Sequence, residues 1–226
     1  DHLRAVTGFG LARAENLIEA TQNLDPFVEA SGIVRTVASN LIKIANDLRL
    51  LASGPDAGFG EIRLPAMQEG SSIMPGKINP VIPEAVCQAG LAASGCDQVL
   101  FLACSLGNLE LNAFLPLVAD SLLTALDLLG RACRMLAEKC VRGIAAERGR
   151  CQERVESAVA TATALVDRLG YEAARDAADG ARQVGQTLKE YVVEQGLIAA
   201  AEFDELVSPE AVTRLGSAGS RREDIL

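Results

Sequence analysis

Apolar residues recur every three or four positions at Phe27, Ala30, Val34, Val37, Leu41, Ile44, Ala45, Leu48, Leu51 and Ala52. That spacing puts them on one face of a helix. Asp25-Pro26 supplies the start, with Asp25 as the N-cap and Pro26 at the first helical position, where a missing N–H costs nothing. Ser53-Gly54-Pro55 supplies the stop, Gly54 being suited to a left-handed cap. A second helix begins after Asn79-Pro80 or at Pro83 and runs to about Leu106, with Val86, Ala89, Gly90, Ala93, Val99, Leu100 and Ala103 at helical spacing. Only Glu84 and Asp97 interrupt its apolar surface, so the pattern predicts a helix buried on all sides. A third stretch covers about Asn108 to Val141, with Leu117, Leu122, Leu123, Leu126, Leu129, Cys133, Leu136 and Cys140 as its stripe. Pro116 is expected to kink it, because an interior proline removes a hydrogen bond and clashes with the preceding turn.

Between the first two helices the period vanishes. Residues 54–80 hold five glycines and four of the eight prolines, yet keep Phe59, Ile62, Leu64, Met67, Ile73, Met74 and Ile78. A loop this long inside a domain is uncommon and usually functional. Its apolar content predicts that much of it is packed, in an extended and partly ordered form. After Gly143 the helices become short and charged, at about 148–166, 171–180, 187–195 and 201–207. Thr187-Leu188-Lys189-Glu190 fits a capping box, and Gly196 ends that helix. Tyr171 and Tyr191 are expected to pack in this region. Residues 1–24 read as a loop-and-helix lead-in, and 216–226 as a frayed tail. The expected architecture is all-α, a long-helix bundle over 1–147 followed by a small helical domain over 148–226.

Composition narrows the classes. Hydrophobic residues make up 49%, charged residues 23% and aromatic residues 4%, with no Trp. An alanine-rich, aromatic-poor chain favours helices over a β-sandwich or barrel. Net charge is −9 without a Lys/Arg cluster, so nucleic acid is not an expected partner. No uninterrupted apolar run reaches the roughly 18 residues that cross a bilayer, so a membrane is not expected either. The start, Asp1-His2-Leu3-Arg4, does not read as a signal peptide. The six cysteines show no C-x-x-C spacing, and His2 is the single histidine, so no metal site is expected. Thiols within apolar helical stretches act as small hydrophobes and fit a reducing compartment, the cytoplasm.

The chemistry-bearing segment is Gly70-Ser71-Ser72-Ile73-Met74-Pro75-Gly76-Lys77-Ile78-Asn79-Pro80. Two hydroxyls are followed by a Lys, an Asn and a helix N-terminus, where backbone N–H groups and the helix dipole favour an anion. The group reads as a carboxylate or phosphate clamp with a hydroxyl beside it. The plain alternative is a Ser/Gly/Pro turn with Lys77 in solvent. The P-loop order is missing, and a Ser-His-Asp hydrolase lacks its histidine.

This string resembles the signature of the fumarase/aspartase superfamily, Gly-Ser-Ser-x-Met-Pro-x-Lys-x-Asn-Pro, at every fixed position. The resemblance extends to Ile44-Ala45-Asn46-Asp47-Leu48-Arg49, Ser53-Gly54-Pro55, Gly107-Asn108-Leu109-Glu110-Leu111-Asn112 and Leu169-Gly170-Tyr171. Ala14-Glu15-Asn16-Leu17-Ile18-Glu19-Ala20-Thr21, Leu48-Arg49-Leu50-Leu51 and Asn79-Pro80-Val81-Ile82-Pro83-Glu84 resemble the aspartase branch. The stretch before Gly170-Tyr171 departs from the Leu-Asn-Pro common in the family. The resemblance implies the C-terminal half of a lyase subunit that deaminates L-aspartate to fumarate and ammonia, or in the alternative hydrates fumarate. It implies Ser71 as the catalytic base and Ser72, Lys77 and Asn79 as substrate-binding residues. Glu84 is implied as the acidic partner of a histidine elsewhere in the family's subunit. No cofactor is implied. The implied partners are a small dicarboxylate and further copies of the chain, in a homotetramer with shared active sites. A non-catalytic helical assembly module of the same fold is the other class. Arg49 and Asp47 read as helix-end pairing residues, and His2 as solvated.

Overall fold

The computed structural model describes residues 2–54, 57–74 and 76–212. Pro55 and Pro75 of the motifs, and the tail expected to fray at 216–226, lie outside them. The chain divides into two compact units, Asp1–Ala145 and Ala146–Leu226.

The first unit opens with two short helices, α1 (His2–Thr7) and α2 (Glu19–Gln22), neither of which buries a residue. Three long helices follow: α3 (Asp25–Leu51), α4 (Val81–Cys104) and α5 (Leu115–Lys139). Helix α4 packs against both α3 and α5. Extended structure among the described residues is limited to the two-residue strands β1 (Ile62–Arg63) and β2 (Ala145–Ala146) and an Asn108–Leu111 bridge.

Helix starts differ from expectation in two places. Leu24, not Asp25, takes the N-cap position of α3, and no side chain caps it. Asp25 instead lies in the first turn, where its carboxylate faces the positive end of the helix dipole. Pro116 does not kink a long helix; it occupies the first turn of α5, where no helical hydrogen bond is lost. The chain from Leu106 to Phe114 is a turn instead. Buried Asn112 organises it: Nδ2 donates to the carbonyls of Ala103 and Cys104, both at 3.1 Å, and Oδ1 accepts from Phe114 N–H at 2.9 Å. One side chain thereby satisfies the end of α4 and the approach to α5.

The contact surfaces of the three helices carry many small residues. Buried positions are Ser31, Ala38 and Ala45 on α3; Pro83, Val86, Gly90, Ala93, Asp97, Leu100 and Ala103 on α4; and Val118, Ser121, Ala125, Leu129, Ala132 and Leu136 on α5. Gly90 is a close-approach point, since a Cβ there would lie 2.6 Å from Ile42 Cγ1. The stripe expected on α5 is only partly inward. Leu129, Leu136 and Cys140 are buried, while Leu117, Leu123 and Leu126 face outward, Leu123 at 65% exposure. Cys133 is exposed as well. Helix α4, expected to be buried all round, leaves Leu91 (65%), Phe101 and Leu102 exposed in the single chain.

By length and composition α4 is also apolar enough to cross a membrane, a property hidden by its two acidic interruptions. Asp97, one of these, is buried at 6% exposure. Its carboxylate accepts Ser31 Oγ–H at 2.7 Å and Arg35 Nη1–H at 2.9 Å from α3. A buried carboxylate is tolerated when it is paired and hydrogen-bonded, as here. All six cysteines are free. Burial pushes the Cys140 thiol above its ordinary pKa, and burial with the nearby Asp25 charge does the same to Cys104.

The second unit contains α6 (Arg148–Ser157), a 3₁₀ segment (Val159–Leu165), α7 (Val166–Leu169), α8 (Tyr171–Val184), α9 (Leu188–Glu194), α10 (Ala200–Leu206) and α11 (Pro209–Val212). Leu165, Leu188, Val192, Ile198 and Phe203 meet the alanine face of α8, Ala174, Ala177 and Ala178, in one closed core. Tyr191 packs against that core, whereas Tyr171, expected to pack, is exposed. The capping box at Thr187 and Glu190 is formed in full. Helix α9 ends at Glu194, and Gly196 follows with a positive φ of 67°.

Candidate functional site

The loop leaves α3 at Leu51 and enters α4 at Val81. Its first part is tied to the bundle. Glu61 N–H donates to Leu51 O at 2.9 Å, Phe59 N–H donates to Ser53 Oγ at 3.0 Å, and Leu64 packs on the cluster of Ala45, Val86, Ala132, Leu136 and Cys140. Its second part is not packed as expected. Ile73 is 86% exposed, and Met67, Met74 and Ile78 are also exposed.

This exposed part is nevertheless built. Gly70 N–H donates to Lys77 O at 2.7 Å, and Lys77 N–H donates to Met74 O at 3.3 Å. Asn79 Nδ2 donates to Gly70 O at 3.2 Å. Gly70 is needed for this closure, because a Cβ there would lie 2.6 Å from Lys77 O. Gly76 turns the chain with φ +79°, in the region that favours glycine. No helix or strand covers the described residues of 70–79.

Half-buried Ser71 sits just inside this closure. Its Oγ accepts two backbone N–H groups, from Ile73 and Met74, each at 3.1 Å. These are donors of the kind that stabilise charge on an oxygen. Ser71, Ser72 and Lys77 line one open cavity of about 660 Å³, with Met67, Gln68 and Glu69. Ser72 and Lys77 are exposed, and no described residue engages their side chains. Asn79 and Glu84 do not line that cavity. Asn79 acts through the Gly70 carbonyl, and Glu84 lies in the first turn of α4, its Oε1 3.8 Å from Arg49 Nη2. The structure thus brings together three of the five sequence-predicted residues at one cavity and sets two behind it. Arg49 and Asp47 pair at the end of α3: Arg49 Nη1 donates to Asn46 Oδ1 at 3.0 Å, and Asp47 pairs with Lys43 one turn before. His2 is exposed on α1. No group of three or more metal-ligating side chains occurs among the described residues.

Sequence models and known structures converge on this chain. The family described as Lyase matches residues 1–95, and the one described as Fumarase C C-terminus matches residues 162–214. An aspartate ammonia-lyase of Pseudomonas canavaninivorans is 46% identical over 92% of this chain and 44% of its own length. The crystal structure of a Brucella melitensis protein, described as fumarate lyase:delta crystallin, superposes with a TM-score of 0.86 at 46% identity, over 94% of this chain and 46% of that one. The chain belongs to the fumarase/aspartase superfamily. Within the superfamily, a fumarate hydratase class II of Bradyrhizobium diazoefficiens is 40% identical over 95% of this chain. The chain spans about half the length of the curated relatives it matches.

Four residues escaped the sequence reading. Asp97 looked like an interruption in an apolar helix and is a buried hydrogen-bond centre. Asn112 looked like part of a family string and bridges two helix ends. Gln68 and Glu69 sit in the cavity directly before the motif. An acidic residue at helical spacing inside an otherwise apolar stripe was the available signal for the first.

Proposed function

We propose that the protein supplies the serine-loop half of an ammonia-lyase active site acting on L-aspartate. In this reading Ser71 removes a proton from the substrate Cβ. The electron pair left on Cβ delocalises into the adjacent carboxylate as an aci-anion. Collapse of that anion expels the Cα amino group as ammonia and leaves fumarate, with the abstracted proton on Ser71 Oγ.

The observation that carries the reading is the pair of N–H groups on Ser71 Oγ. A serine hydroxyl is a poor base, and only its alkoxide has the strength to take a carbon-bound proton. Each well-placed donor to an oxyanion is worth about 3 kcal/mol. Two of them already converge on this oxygen, and Lys77 lines the same cavity with no ion pair to a described residue, although Glu69 lines that cavity too. Ser72 and Lys77 are assigned to the substrate carboxylate. Asn79 is assigned to the same carboxylate and in this conformation holds the Gly70 carbonyl. Glu84 is assigned as the acidic partner of a histidine that this sequence, with His2 alone, does not provide. A homotetramer with shared sites accounts for the outward apolar faces of α3, α4 and α5.

Steady-state assays of the protein expressed from its complete reading frame test this. Aspartate-dependent fumarate formation is expected. Fumarate hydration without deamination would select the hydratase reading, the activity in the name of the relative at 40% identity. Neither activity would leave a non-catalytic assembly module.

A further inference from the structure

The loop hangs from two stems, the last turn of α3 and the first turn of α4, and one guanidinium spans them. Arg49 lies in the last turn of α3. Its Nη1 donates to Asn46 Oδ1 at 3.0 Å, and its Nη2 stands 3.8 Å from Glu84 Oε1 on α4. Asn46 Oδ1 also accepts the Cys87 thiol, at 3.6 Å, from the next turn of α4. The polar tie therefore runs from α4 at Cys87, through Asn46 and Arg49 on α3, and back to α4 at Glu84.

We propose that Arg49 is a positioning residue for the serine loop. The route from Arg49 to Ser71 is continuous. The Glu84 side chain meets Arg49, and Glu84 N–H donates to Pro80 O at 3.1 Å. The residue before that carbonyl, Asn79, holds Gly70 O, and Gly70 immediately precedes Ser71. Fixing Glu84 thus fixes the turn from which the Ser71 closure is suspended. Arginine suits the task better than lysine. Its planar fork reaches Asn46 and Glu84 at once, whereas an ammonium on a flexible stem meets one of them at a time.

The role in turnover rests on the lyase reading above, so the test has one arm that does not. In the protein expressed from its complete reading frame, amide hydrogen exchange of Arg49→Gln is expected to speed up about fivefold in peptides covering 70–86, with 171–195 unchanged. Arg49→Lys should fall between Arg49→Gln and wild type. Asn46→Ala leaves the charge in place and should reproduce part of the loosening. In turnover, kcat of Arg49→Gln should drop about tenfold with KM within about twofold, the signature of a misplaced base rather than lost substrate binding. Unchanged exchange at 70–86, or loosening spread evenly over α3, α4 and α5, overturns the positioning role whatever the activity. Full turnover by Arg49→Gln overturns it as well. A wild-type protein with neither activity sinks the lyase reading, and exchange alone then decides Arg49.

Discussion

The two units differ in how much large apolar surface they leave outside. In the second unit the large apolar side chains point inward: Phe203, Leu165 and Val192 have no exposed surface. In the first unit alanine, serine and glycine share the inner faces of the long helices with Val86, Leu100, Val118 and Leu129, while Ile33, Leu91, Phe101, Leu123 and Leu126 point out. A helix with small residues on one face and leucines on the other approaches its neighbours closely and keeps most of its hydrophobic area for something else. The second unit closes its large side chains into one core, whereas the first leaves a row of large apolar side chains outside, the faces the proposed homotetramer would cover. The loop with Ser71 belongs to the first, and its exposed half fits a site that needs additional walls.

The sharpest break in that contrast is chemical. Ser71→Ala, made in the protein from its complete reading frame, should lower kcat for aspartate deamination about 10³-fold. Its stability should fall by no more than about 1 kcal/mol, the worth of the accepted N–H bonds. Steady-state kinetics with a denaturation curve checks both. Near-normal kcat would make the loop a binding lid, and the base would have to be sought elsewhere.

The next test sets one unit against the other. Phe203→Ala removes a fully buried ring from the second unit and should cost about 3–5 kcal/mol in a chemical denaturation experiment. Leu123→Ala removes an outward side chain from α5. In dissociated protein it should cost no more than about 0.5 kcal/mol, as surface substitutions do. A large cost for Leu123→Ala under dissociating conditions would contradict the outward assignment. The complementary variant, Leu91→Asp with Leu123→Asp, places charges on the faces assigned to other copies. Sedimentation should show a smaller species than wild type with helical content retained. An unchanged sedimentation coefficient would mean that those faces are not the contact.

Much of this contrast was written locally, and what was not has a physical cause. The three long helices, the loop between the first two, and the capping box follow from periodicity, proline placement and a four-residue motif. The inward face of α5 did not follow, because the helix carries two apolar stripes at 3.6-residue spacing. Leu123 and Leu126 outweigh Ala125 and Ala132 on any hydrophobicity scale, yet the alanines face α4. Periodicity finds stripes but does not say which neighbour each stripe meets. Pro116 was misread for a related reason: a proline marks a helix start or a kink equally well until the chain before it is known to turn. At the site, Ser71 and Lys77 were legible as a string. The cavity and the Arg49–Glu84 link depend on how distant parts of the chain meet, which no linear pattern encodes.

The smallest effect lies in the second unit and tests whether local rules govern it. Glu190 Oε2 accepts Thr187 N–H and Thr187 Oγ–H, both at 2.9 Å, while Glu190 N–H donates to Thr187 Oγ at 3.2 Å. The backbone N–H first, and then the hydroxyl, hold the Glu190 carboxyl below the ordinary glutamate range. A carboxyl whose folded pKa is lowered binds fewer protons than in the unfolded chain, so its contribution is fully present above the ordinary value. It is lost as pH falls through the lowered folded value. Glu190→Gln keeps an oxygen acceptor and removes the titration. The melting temperature of wild type should therefore exceed that of the variant at neutral pH, and the gap should close on acidification. Circular dichroism melts of both proteins from neutral pH to below the ordinary carboxylate range measure it. A gap that stays constant, or widens in acid, would show that the Glu190 charge contributes nothing and that the box acts through the Thr187 hydroxyl alone.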